Sequence, residues 1–111
     1  MGDRKPSAPI VRIVDDDAGV RNALTLLVRA AGFAAASYPS AEAFLSDYDP
    51  DRPGCLVLDV RMPGVTGLQL QALLHARDDR LPIIMVSGQG DIPMAVEAIR
   101  AGWTKNEIEV A

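Results

Sequence analysis

Short apolar runs alternate along the chain with longer stretches of helical periodicity. Ile10 to Val14 (IVRIV) is brief, β-branched and bounded by Pro9 and a polar cluster, which predicts a strand. From Ala18 to Ala31, the residues Val20, Leu24, Leu27, Val28 and Ala31 recur at three- and four-residue spacing. That spacing makes one apolar helical face, with Asp17 or a neighbouring aspartate as cap and Gly32 as terminator. Phe33 to Tyr38 predicts a second strand, diluted by its alanines. Pro39 and Ser40 then open a second helix, with Ala43, Phe44 and Tyr48 inward and Pro50 closing it. Cys55 to Val60 (CLVLDV), apolar on both faces, has the pattern of a central parallel strand. The loop Arg61 to Thr66 leads into a helix from Gly67 to Arg77, with Leu68, Leu70, Leu73 and Leu74 as its apolar positions. Leu81 to Val86 is a fourth strand. After the turn Ser87 to Gly90 (SGQG), Asp91 caps a helix that runs through Ala101 and stops at Gly102.

This βαβαβαβα order implies an α/β protein with a doubly wound parallel sheet, helices on both faces and right-handed crossovers. Trp103 to Ala111 (WTKNEIEVA) breaks the pattern. With Ile108 and Val110 two apart, it reads as a short fifth strand or a frayed tail, too short for a strand and a helix together. The last strand–helix unit is therefore incomplete. The chain divides into a tail at 1–9, one domain at 10–102 and an atypical tail at 103–111.

Composition narrows the function classes. At 111 residues the chain has material for one core. Eleven Lys and Arg against fifteen Asp and Glu leave a net charge of −4, which disfavours direct nucleic-acid binding and membrane-surface binding. A single cysteine makes no internal disulfide. Met1 to Ser7 has no apolar run of a signal peptide behind it, and no stretch approaches a membrane span. A cytoplasmic location follows as the expectation.

In an open parallel sheet, ligands bind beyond the carboxyl ends of the strands. At that edge the sequence places Asp15, Asp16 and Asp17 after the first strand, Asp59 near the end of the third and Ser87 after the fourth. Two carboxylates about 4 Å apart repel by roughly 4 kcal/mol at an effective dielectric near 20. Either one is protonated or a cation sits among them. Oxygen donors without His or Cys suit Mg²⁺ or Mn²⁺. Such an ion beside the Ser87 hydroxyl makes a phosphoryl site, with one carboxylate as nucleophile. Plainer readings exist for each feature. The three aspartates also make a solvated turn with a helix cap, and Ser before Gly is common turn chemistry. Asp59 inside an apolar strand resists such a reading, because a lone buried carboxylate is costly. Cys55 reads as a small core residue, His75 as a solvated or packed histidine, and Trp103 as packing.

Taken together, IVDDD (Ile13 to Asp17), LDVRMPGVTG (Leu58 to Gly67) and VSGQGDIPMAVEAIRAG (Val86 to Gly102) resemble the receiver domain of bacterial two-component response regulators. With YPSAEAFL (Tyr38 to Leu45), the resemblance is to the FixJ-like regulators among them. It runs from about Pro9 to Gly102 and implies the flavodoxin-like receiver fold. It further implies Asp59 as phosphoacceptor, Asp16 as direct Mg²⁺ ligand and Asp15 as the acid holding metal-bound water. The backbone carbonyl of Arg61 would complete the protein ligands, Ser87 would contact the phosphoryl group, and Met62 and Pro63 would shape the site. A sensor histidine kinase is the implied partner. The tail departs from the family, which carries an aromatic and then a lysine on its fifth strand. Counted from Gly102, those positions fall on Asn106 and Glu109, and Lys105 sits four residues before the lysine position.

Three functions compete for these features. The first is a phosphoacceptor domain, which catalyses its own modification and is no enzyme on a separate substrate. The second is a phosphorylation-independent interaction module with the same fold, which the tail favours and the acids oppose. The third is a Mg²⁺-dependent phosphatase with an aspartyl nucleophile, for which Val60, Arg61 and Met62 offer no general acid. A missing fifth strand would also leave the fourth strand's edge open, so that Ile108 and Val110 of two copies could pair in a homodimer.

Overall fold

The structure, a computed structural model, describes residues 9–59, 67–76, 81–86 and 107–109 and the helical positions Pro93, Met94, Glu97 and Ile99. In chain order the elements are β1 (Ile10–Val14), α1 (Ala18–Ala30), β2 (Ala34–Tyr38), α2 (Ala41–Asp47), β3 (Gly54–Asp59), α3 (Gly67–Ala76), β4 (Ile83–Val86) and β5 (Glu107–Glu109). The loop 61–66, the SGQG turn, the Asp91 cap and Trp103 lie outside the described residues.

The five strands are parallel in the order β2-β1-β3-β4-β5. Side-chain alternation sends successive residues to opposite faces and divides the core in two. Val11, Ile13, Cys55, Val57, Ile84 and Val86 face Val20, Leu24 and Val28 of α1, with Ile99 beside them. Val14, Leu56, Leu58, Ile83 and Met85 face Ala41 and Phe44 of α2 and Leu70 and Leu74 of α3. β3 is buried along its whole apolar length, as its unbroken hydrophobic run predicts. β2 pairs only with β1, and its alanines make a thin edge strand.

Local chemistry sets the boundaries. Asp17 is the N-cap of α1, its Oδ1 accepting the Gly19 and Val20 N–H groups at 2.8 and 3.2 Å. At the other end, Gly32 sits at φ 96°. Its N–H donates to the Arg29 carbonyl and that of Phe33 to the Val28 carbonyl, which is the Schellman arrangement. Ser40 caps α2 by accepting the Ala43 N–H at 3.0 Å. Gly54, at φ 153°, lies beside Ile10, where a Cβ would come within 1.9 Å of the Ile10 carbonyl oxygen. Only glycine lets β1 and β3 start side by side.

Several expectations need correction. Phe33 precedes β2 and packs against the α1-side core instead of lying in the strand. Leu27 and Leu73 share their helices' apolar periodicity but are 44% and 43% exposed. Each helix here buries a narrow stripe against a single sheet face, and these two residues fall on its flank. The open β4 edge does not occur either. Ile108 is in register with Ile84 of its own chain, so β5 covers the edge that was expected to pair between molecules.

Candidate functional site

The strand order reverses at β1. From β1 the chain goes outward to β2, then crosses back to β3 on the other side. The crevice beyond the carboxyl ends of β1 and β3 is therefore the topological switch point, where open α/β sheets bind ligands.

β1 delivers Asp15 to that crevice. The Asp15 N–H donates to the Tyr38 carbonyl at 3.2 Å, extending the β1–β2 ladder by one rung. Its carboxylate Oδ1 accepts the Asp17 N–H at 2.9 Å, and its main-chain carbonyl accepts Arg21 Nη1 at 2.7 Å. Asp15 is 5% exposed, the adjacent Asp16 is exposed, and Asp59 is half-buried at the last position of β3. Carboxylate oxygens of these three residues lie within 4.8 Å of one another. Asp15 and Asp59 continue the Val11–Ile13 and Cys55–Val57 rows, so the pleat itself aims both toward the side where α1 begins.

Burial pushes the Asp15 carboxyl up to about 6 from its ordinary 3.8; the Asp17 N–H opposes that rise, and the charges of Asp59, Asp16 and Asp17 add to it. A cluster that resists full ionisation by itself is suited to a divalent cation. The donors are all carboxylate oxygens, the set that hard cations prefer. Oxygens within 4.8 Å of one another could hold one such ion, directly or through its water.

Of the expected site residues, the structure brings together Asp15, Asp16 and Asp59. Ser87, Arg61, Met62 and Pro63 lie outside the described residues, as do Lys105 and Asn106. Val86, immediately before Ser87, is in register with Asp59. On β5, Glu109 is in register with Met85, one rung short of the Asp59–Val86 pair. Cys55 is fully buried and its thiol is pushed up to about 12 by that burial, so it is a core residue without thiolate at neutral pH. His75 is exposed on α3 and outside the acid cluster.

Sequence reasoning passed over three residues. Arg12 is 3% exposed in the middle of β1, and its Nη2 donates to the Asp49 and Arg52 carbonyls at 3.1 and 3.0 Å. Tyr48 stacks on its guanidinium, 4.9 Å from the ring centroid. The available signal was the one that marked Asp59, a charge inside an apolar strand. Tyr38 supplies the carbonyl that holds Asp15, while its hydroxyl donates to Asp47 Oδ2 at 2.6 Å. No spacing rule points to Tyr38, or to Arg21 as the partner of a main-chain carbonyl.

This fold, with acids from two adjacent strand ends at the switch point, defines a receiver-type signalling domain. The model of the response regulator receiver domain family matches residues 11–105. The chain is 48% identical over 102 residues to response regulator protein TodT of Pseudomonas putida, covering 92% of this chain and 44% of TodT. Among solved structures, response regulator StyR superposes with a TM-score of 0.73 at 44% identity, over 93% of this chain and 52% of StyR. FixJ-N gives a TM-score of 0.68 at 43% identity, over 93% and 82% of the two chains. The chain belongs to the response regulator receiver domain family. It spans less than half the length of TodT.

Proposed function

We propose that this chain is the phosphoacceptor domain of a two-component phosphorelay, with Asp59 taking a phosphoryl group from a sensor histidine kinase. The observation that carries this reading is the convergence of Asp15, Asp16 and Asp59 within 4.8 Å at the switch point. An Oδ of Asp59 attacks phosphorus, the N–P bond of the donor phosphohistidine breaks, and the electron pair leaves with the imidazole. The product is an aspartyl phosphate. Mg²⁺ held by Asp16, Asp59 and the Arg61 carbonyl, with Asp15 on its water, would neutralise charge on the phosphoryl oxygens. Ser87 would donate a hydrogen bond to one of them. In this role the domain modifies itself and turns over no separate substrate. Residues 10–102 carry the receiver pattern and 103–111 a divergent tail that still contributes β5 to the sheet, with a cytoplasmic setting and no direct nucleic-acid partner. Among the described residues no helix is long and apolar enough to cross a membrane.

Acetyl phosphate with Mg²⁺ should add the mass of one phosphate to the intact chain. Asp59→Asn, or removal of Mg²⁺, should abolish the addition. Labelling that survives Asp59→Asn places the acceptor elsewhere.

The second reading, an interaction module that works without phosphorylation, draws on Glu109. Counted from Gly102, it falls at the position where the family has its lysine, and β5 sets its backbone beside Met85. In the family that position supplies a positive charge to the phosphoryl group, which a glutamate does not provide. Beryllofluoride and Mg²⁺ separate the two readings. A melting temperature raised by several degrees supports the phosphoacceptor, and an unchanged one supports the silent module.

A further inference from the structure

Among the described residues, Arg21 is the one cation whose side chain grips the acid loop, and neither the family match nor the acid chemistry assigns it a role. It lies in the second turn of α1, half-buried, and its Nη1 donates to the Asp15 carbonyl at 2.7 Å. Its own N–H donates to the Asp17 carbonyl at 3.0 Å. Arg21 therefore holds the loop at both sides of Asp16, through the residue before it and the residue after it. The other restraints on Asp15 come from elsewhere. Tyr38 holds its N–H and the Asp17 N–H holds Oδ1. Asp16, by contrast, is exposed, so its direction depends on the backbone it hangs from.

From this geometry we infer that Arg21 is a positioning residue for the cation site. By closing the β1–α1 turn, it holds the Asp16 carboxylate toward Asp15 and Asp59 before any ion arrives. The bond is charge-assisted and short, the kind that fixes a turn instead of merely decorating it. Without it, Asp16 can swing into solvent, where it is better hydrated and farther from two like charges. Cation binding must then draw it back, which weakens affinity. Because one donor atom makes the bond, a lysine able to reach the same carbonyl serves in part.

This inference rests on the cation-binding reading of the acid cluster, and a Mg²⁺ titration followed by amide NMR tests both. Arg21→Ala should weaken Mg²⁺ binding about tenfold, the lower end for groups that orient metal ligands. The metal-free variant should melt within about 3 °C of the wild type, because α1 keeps its cap and its apolar stripe. Arg21→Lys should recover to within about threefold of the wild type. Arg29→Ala removes the same charge from the same helix without touching the acid loop, since among the described residues Arg29 Nη2 reaches the Ala35 carbonyl alone, at 3.4 Å. It should change affinity by less than about twofold, separating loop geometry from net charge. Native affinity in Arg21→Ala overturns the inference alone. So does an equal loss in Arg29→Ala, or a lysine variant no better than alanine, which remains decisive if the alanine variant folds poorly. A wild-type chain that takes no Mg²⁺ overturns the cation site and this inference together.

Discussion

Two buried charges stand three residues apart, one in the middle of β1 and one just past its end, and they are treated in opposite ways. Arg12, 3% exposed, has been given partners: two loop carbonyls and the face of Tyr48. Burial lowers its pKa from the ordinary value, yet a guanidinium stays charged in proteins. Asp15, 5% exposed, is given the Asp17 N–H but also the charges of Asp59, Asp16 and Asp17. The first charge finds partners inside the molecule through Nη2 and the Tyr48 ring, while its Nη1 is buried without a hydrogen bond among the described residues. The second is left with an excess of its own sign, which only a proton or an outside cation relieves. Arg12 fastens the 49–52 loop, toward the amino edge of the sheet, and Asp15 helps form a site at the carboxyl edge. The contrast separates a charge that the fold supplies with partners from one that it leaves among its own sign.

The largest effect should come from Arg12. Arg12→Met keeps the apolar stem and removes the guanidinium, taking one donor from each of the Asp49 and Arg52 carbonyls, of which the Asp49 carbonyl keeps the Arg52 N–H at 3.2 Å. A loss of about 2–3 kcal/mol is expected in urea unfolding, with Mg²⁺ affinity little changed. Native stability in this variant would show that the guanidinium contributes nothing beyond its stem, and the contrast would fail on that side.

Asp15 should respond in the opposite direction. Its folded-state pKa of about 6 lies above the ordinary 3.8, so the folded protein binds more protons between those values. Its contribution to stability is therefore full at low pH and declines as pH rises through about 6. In metal-free protein at about pH 7.5, Asp15→Asn should raise stability by about 2 kcal/mol, and the gain should shrink toward about pH 4. Mg²⁺ should reverse the ranking, stabilising the wild type more than the variant. A destabilised metal-free Asp15→Asn at the higher pH would mean that the carboxylate is satisfied internally after all.

Asp17 sharpens the comparison with the smallest effect. Asp17→Ala removes the cap of α1 and should cost about 1 kcal/mol. The Asp17 N–H that holds Asp15 belongs to the backbone and survives the substitution. Mg²⁺ affinity should therefore stay within about twofold of the wild type, measured by the same titration. A larger loss would make the Asp17 carboxylate a participant in the site and not only a cap.

Element order and the acid pair were legible because each rests on local patterning. IVRIV and CLVLDV announce strands by their composition, and βα alternation leaves a parallel sheet as the simple solution. Asp59 announced itself as a charge in an apolar run, and the DDD triplet by its place after a strand. Other features depended on neighbours remote in sequence. Leu27 and Leu73 carry the periodicity of buried residues, and only the width of the sheet beneath their helices left them exposed. β5 needed the β4 edge to receive it, since Glu107–Glu109 has little strand character of its own. Arg12 reaches carbonyls 37 and 40 residues away, and Tyr38 meets Asp15 only because β2 lies beside β1.

By itself, then, the sequence determined which segments are strands and helices and which acids crowd one sheet edge, because periodicity and charge are properties of neighbouring residues. The tertiary structure alone decided which buried charge meets partners and which meets its own sign. That outcome depends on the carbonyls, rings and carboxylates that distant segments bring within a few ångströms, where a desolvated charge is stabilised or opposed.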